Sequence, residues 1–272
     1  MKKLLILLLL TPFTAWGQSV MCFNIRYDNP QDGVNIWAHR RGAVVEMLRE
    51  QQCDIIGLQE VLSTQLDYLS DSLTRYDWVG VGRDDGARGG EYAPIFYRTD
   101  RFKLLFAGNH WLSATPALPS LGWDAACIRV ATWAVLEGEQ GEQLVVINTH
   151  FDHVGQVARA QSAHIIVALA DSLQKANRGA QVIFMGDLNS TLQDKALRPI
   201  LRSFANTRPR GTMATPYTFI GFDNRESDRC LIDHIFVRGL KVKSYQVVAN
   251  SSSVGFLSDH LPVKVVLEPC AL

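Results

Sequence analysis

The stretch VIFMGDLNS, Val182 to Ser190, constrains this chain more than any other. Val182, Ile183 and Phe184 are β-formers that lead into Gly186, and Asp187 and Asn189 follow with one apolar residue between them. On an extended backbone alternate residues face the same way, so a buried strand ending here aims a carboxylate and an amide at one spot. Taken alone, the stretch reads equally well as a strand closing in an Asp/Asn turn. The rest of the chain decides between the two.

The same kind of ending recurs. SVMCFNIRY, Ser19 to Tyr27, reads as a strand with Asn24 near its end, and the short apolar strand Asp54 to Leu58 stops at Gln59-Glu60. VVINTHFDH carries His150 where its strand leaves the apolar run. CLIDHIFV sets Asp233 inside an apolar strand, where an unpaired carboxylate would be costly and must have a partner. FLSDHLPVKVVL places Asp259 and His260 just before a last strand opened by Pro262. Packing would choose apolar or turn residues at such positions, so these polar groups are expected to converge on one site. Oxygen donors without clustered Cys or His suit Mg²⁺ or Mn²⁺ better than zinc.

Between these strands, helical spacing predicts helices from Ile36 to Gln51, capped by Asn35, from Thr64 to Leu73, from Gln156 to Ala176 and near Asp194 to Leu201. Further strands are expected at Asp77 to Val81, Glu91 to Arg98 and Phe102 to Trp111, with a hairpin of Ile128 to Leu136 and Gln143 to Asn148. The glycine-rich GVGRDDGARGG, Gly80 to Gly90, lacks the Lys-Ser/Thr ending and following helix of a P-loop and reads as a mobile loop. Ser113 to Asp124, with Pro116, Pro119 and Trp123, is expected as a rim loop whose apolar groups, with Trp111, either wall one side of the site or pack on the sheet edge. No internal repeat is visible, and residues 18–272 are expected to form a single domain.

With 272 residues and 47% apolar composition, the chain can bury a substantial core. Met1-Lys2-Lys3, the apolar run Leu4 to Leu10 and Ala15-Trp16-Gly17 match the three regions of a secretory signal peptide, residues 1–17. A secreted or periplasmic protein is therefore expected, monomeric and with no transmembrane anchor. Basic and acidic residues number 27 each, so losing Lys2 and Lys3 leaves a small acidic excess. Such a balance disfavours a dedicated binder of long nucleic acid. The five cysteines, Cys22, Cys53, Cys127, Cys230 and Cys270, show no metal-ligand spacing and single out no disulfide pair.

In order along the chain, FNIR, GLQE, NTHFD, GDLN, IDHIF and SDH resemble the motifs of the endonuclease/exonuclease/phosphatase superfamily, which has the deoxyribonuclease I-like fold. The resemblance implies an α/β fold, two mixed β-sheets packed face to face with helices outside, and a metal-dependent phosphoesterase. It implies Glu60 as the main metal ligand, with Asn24 beside it and Asp259 close by. Asp187 and Asn189 would position and activate the attacking water, while His150 and His260 would bind or protonate phosphate oxygens. Asp233 would hold the His260 ring. Compared with the deoxyribonuclease branch, Glu91 falls where a carboxylate orients the first histidine, here His150, and Arg129 where an arginine contacts phosphate. Gly89 falls where that branch has a DNA-contacting tyrosine. The expected substrate is accordingly a small-molecule or lipid phosphoester, with a secreted nuclease as the first alternative and a catalytically inactive binding relative as the second.

Overall fold

Strand β1, Gln18–Asn24, is buried nearly throughout because both of its faces are covered. Met21 and Phe23 point to one cluster, with Val44 and Leu48 of helix α1, Trp37–Gln51, while Val20 and Cys22 point to a second cluster between two sheets. Such double coverage is what an unbroken apolar strand needs. Strand β8, Gln181–Asp187, repeats the pattern: Val182 and Phe184 meet Ile166 and Ala170 of helix α3, Gln156–Ala176, and Ile183 and Met185 face the other sheet. The computed structural model describes residues 17–211, 216–222, 229–250 and 255–270. All but the last residue of the expected signal peptide lie outside that range.

The remaining elements are β2 (Ile55–Gln59), α2 (Ser63–Ser72), β3 (Tyr76–Val79), β4 (Ile95–Arg98), β5 (Phe102–Trp111), β6 (Val130–Gly138), β7 (Gln143–His150), α4 (Arg198–Ser203), β9 (Ala205–Asn206), β10 (Asp233–Arg238), β11 (Leu240–Val247) and β12 (Val263–Pro269). One sheet runs β11-β12-β1-β2-β4-β3 and the other β5-β6-β7-β8-β10-β9. Both are mixed: β1 with β2 and β7 with β8 pair in parallel, and the other neighbours pair antiparallel. The two sheets face each other, with helices outside, which is the expected four-layer α/β sandwich.

A repeat invisible in the residues is plain in the topology. Strands β1 to β6 and β7 to β12 follow one plan: a parallel pair, a two-strand extension, then a hairpin that leaves for the opposite sheet. Thus β5 and β6 join the sheet of β7, and β11 and β12 join the sheet of β1. Smaller differences also have local causes. Asn35 ends a 3-10 turn instead of capping α1, which starts after Ile36 with no side-chain cap. Gly80 to Gly90 is closed by its own bonds: Asp85 accepts from the Ala87 and Gly89 amides, and Gly82 donates to Ala87. All five cysteines are free.

Candidate active site

The ends of the two parallel strand pairs open onto a cleft of about 920 Å³. Registers bring the residues there. His150 pairs with Asp187 across β7 and β8, and Asp187 with Asp233 across β8 and β10. Gly186 precedes them because a β-carbon would stand 2.2 Å from the Thr149 carbonyl oxygen. Arg26, Glu60 and Asn189 all have left-handed backbones, with φ of 59°, 60° and 45°. Strained conformations of this kind persist only where surrounding contacts over-determine them.

All ten expected site residues lie in this region. Asn24 donates its amide to Glu60 Oε1 at 2.9 Å and Asp187 Oδ2 at 3.0 Å, and its oxygen accepts from the Arg26 amide. In this geometry Asn24 spaces two carboxylates, and its oxygen, which accepts a single hydrogen bond, could still join Glu60 and Asp259 in holding an ion. Burial, then the neighbouring Asp259, raises the Glu60 pKa. Arg26 stands 3.9 Å from Glu60 and 3.8 Å from Asp259. Two crowded, buried carboxylates sharing one guanidinium fit a hard divalent cation, and an ion there would supply counter-charge to phosphoryl oxygens.

Opposite this pair, Asp187 accepts the Asn189 amide and lies 3.5 Å from His150 Nε2 and 3.6 Å from His260 Nε2. Burial, and then Asp233, lifts its pKa to about 6, a range suited to a general base. His260 Nδ1 meets Asp233 Oδ2 at 2.8 Å. Burial alone would discharge that ring, but Asp233 and Asp187 outweigh it and raise its pKa well above the ordinary value. His150 goes the other way: burial, Arg129 and Arg83 push it well down. Asn189 donates toward His150 Nε2 at 3.0 Å, which leaves the ring proton on Nδ1. The surroundings thus push the two histidines apart, favouring the charged ring at His260 and the neutral ring at His150.

Two expectations change in detail. Glu91 stands 3.9 Å from His150 Nδ1, beyond hydrogen-bond reach, because Arg83 claims it at 2.7 Å. The rim loop does not line the cleft: Trp111 instead donates to the Arg83 carbonyl at 2.7 Å and packs beside Gly86. Apolar walls come from Tyr27, Leu62, Phe219 and Ile232. Arg129 lines the cleft as expected, one edge held by Asp152 at 3.3 Å and by His153 at 3.0 Å.

Sequence reasoning missed the supports. Arg26 is fixed bidentately by Asp32 at 2.9 and 3.0 Å. Arg40 is wholly buried and donates to the carbonyls of Asn35, Ile25 and Leu257, tying the Asn24 and Asp259 loops together. Asp152 lies near Cys127 and His153 but is already spent on the amides of Ala126, Cys127, Val154 and Gly155, so that trio is no metal site. Only the Arg of FNIR and the Asp of NTHFD hinted at this layer, since both stand inside the motifs.

On this fold, the site makes the chain a metal-dependent phosphoester hydrolase. More narrowly, it belongs to the endonuclease/exonuclease/phosphatase family, whose profile matches residues 21–260. A family member from Bacteroides vulgatus superposes with a TM-score of 0.86 at 38% identity, covering 93% of this chain and 99% of that one. The mannosyl-6-phosphatase of Bacteroides thetaiotaomicron superposes with a TM-score of 0.83 at 33% identity, over 92% of this chain and 99% of its own. An uncharacterized protein of Acanthamoeba polyphaga mimivirus is 25% identical over 254 residues, 85% of this chain and 92% of that protein.

Proposed function

We propose that this protein is an exported phosphatase that uses Mg²⁺ or Mn²⁺ to remove a terminal phosphate from a phosphorylated sugar or similar compact polyol. The observation that carries the reading is the shape and lining of the cleft. Cationic and carboxylate groups gather at its floor, and Tyr27, Leu62 and Phe219 stand as walls, which suits a ring better than a continuous polymer groove. The 33%-identical mannosyl-6-phosphatase supports the same substrate class. Asp187, steadied by Asn24 and Asn189, takes the proton of the attacking water. His260, held by Asp233, steadies phosphoryl oxygens, with His150 and Arg129 beside it. The signal-like residues 1–17 support export to the periplasm or beyond, with a mature chain starting at Gln18.

The test is a phosphoester panel on the purified mature protein: mannose 6-phosphate, other hexose phosphates, a glycerophospholipid headgroup, a phosphodiester and plasmid DNA. Turnover of hexose phosphates with Mg²⁺ or Mn²⁺, abolished by EDTA, is expected. Glu60→Ala should lower kcat about 100-fold or more and weaken Mn²⁺ binding in calorimetry while the fold persists. Salt-sensitive nicking of DNA with no turnover of small phosphoesters would reinstate the nuclease reading.

A further inference from the structure

Arg83, from the glycine-rich loop, has no part in the machinery described so far, yet it lines the cleft alongside Arg129 and His150. Its placement is heavily fixed. Nη1 donates to Glu91 at 2.7 Å, its amide donates to the Glu91 carbonyl at 3.1 Å, and its carbonyl accepts from Trp111. The guanidinium is nevertheless not used up. Its Nε is buried and makes no hydrogen bond, the Asp84 carboxylate standing 3.7 Å away, and Nη1 of Arg129 is likewise buried without a hydrogen-bond partner. These two guanidiniums and the His150 ring also border a small recess behind the cleft. Each arginine is held by a carboxylate, Glu91 for Arg83 and Asp152 for Arg129. Both line the cleft and keep a donor that makes no hydrogen bond.

A phosphodiester presents two non-ester oxygens and one negative charge. A terminal phosphate presents three and up to two charges, so it needs one more donor. We infer that Arg83 is that donor: a phosphate-binding residue that, with Arg129, makes the site selective for the dianion of a phosphomonoester over a phosphodiester. The inference deepens the phosphatase reading and rests on it.

The experiment compares Arg83→Met and Arg83→Lys with the wild type on p-nitrophenyl phosphate and on bis(p-nitrophenyl) phosphate. It also measures calorimetric binding of inorganic phosphate and of dimethyl phosphate, and thermal melting checks the fold. For Arg83→Met, kcat/KM on the monoester should fall about 100-fold, as for loss of one transition-state donor, against less than about 3-fold on the diester. Inorganic phosphate binding should weaken about 10-fold with dimethyl phosphate binding unchanged. Arg83→Lys, which keeps the charge, should recover part of the monoester rate; it carries the test should the Met variant fail to fold. Equal losses on both esters, or none, would overturn the assignment and leave the phosphatase reading standing. A wild type that never hydrolyses monoesters would defeat the phosphatase reading, and the inorganic phosphate arm would then judge Arg83 alone: unchanged binding in Arg83→Met overturns it.

Discussion

Asp233 is fully buried, and one of its oxygens has no partner besides what His260 offers the other. Removing either member of the pair leaves the other uncompensated, so the two should act as a unit. His260→Ala and Asp233→Ala are each expected to cost most of the activity, and the double variant little more than the worse single one; additive losses in kcat would show that they act separately. His234, on the same strand, is tuned oppositely. Burial lowers its pKa to about 4 although it donates to the Ser190 carbonyl at 2.9 Å. The unfolded chain, with an ordinary His pKa near 6.5, binds the proton more readily than the folded one. Stability from this residue is therefore complete above about pH 6.5 and falls as pH drops toward 4, by about 3 kcal/mol. Urea unfolding of wild type and His234→Gln across that window should show a shallower pH slope in the variant, and parallel slopes would remove His234 as the cause.

Between the sheets lies a polar contact that no strand pattern announces. Asn148 of β7 donates to the carbonyls of Leu58 and Pro94 at 2.8 and 2.9 Å and accepts from Gln59 of β2 at 2.6 Å. Gly57 allows the approach, since a β-carbon there would meet Asn148 at 2.8 Å. Asn148→Leu should strand those groups in the core and cost about 3 kcal/mol or more, read as a shift in urea midpoint. What the sequence made legible was the ends of strands, because a polar residue after an apolar run is a local anomaly. Asn24, Glu60, His150, Asp187 and Asn189 were visible that way, Asp233 as a carboxylate set inside an apolar strand, and Asp259 and His260 as polar residues just before one. The inter-sheet bridge was not, because an Asn or Gln inside a strand gives no hint of what faces it across the core. Nor were Arg40 and Arg83, whose positions depend on long-range packing. The grip of Arg83 on Glu91, which draws Glu91 away from His150, arises between the glycine-rich loop and the irregular stretch before β4 and leaves no periodic trace.

At the scale of the whole molecule, the traded hairpins decide how it holds together. Residues up to the 138–142 turn form one half, and those after it the other, yet neither half owns a complete sheet. Cut at that exposed turn, the two fragments should each be unordered alone by circular dichroism and should regain structure and activity when mixed. A first fragment that melts cooperatively by itself would contradict this. The same exchange has a consequence in time. Strand β1 leaves the ribosome long before β12, the neighbour that covers its outer edge by pairing Val263 with Cys22. Contacts of such separation close slowly. Until β12 has been made, the first sheet stays open along one side of its founding strand, so every segment in between is synthesised before that sheet can close.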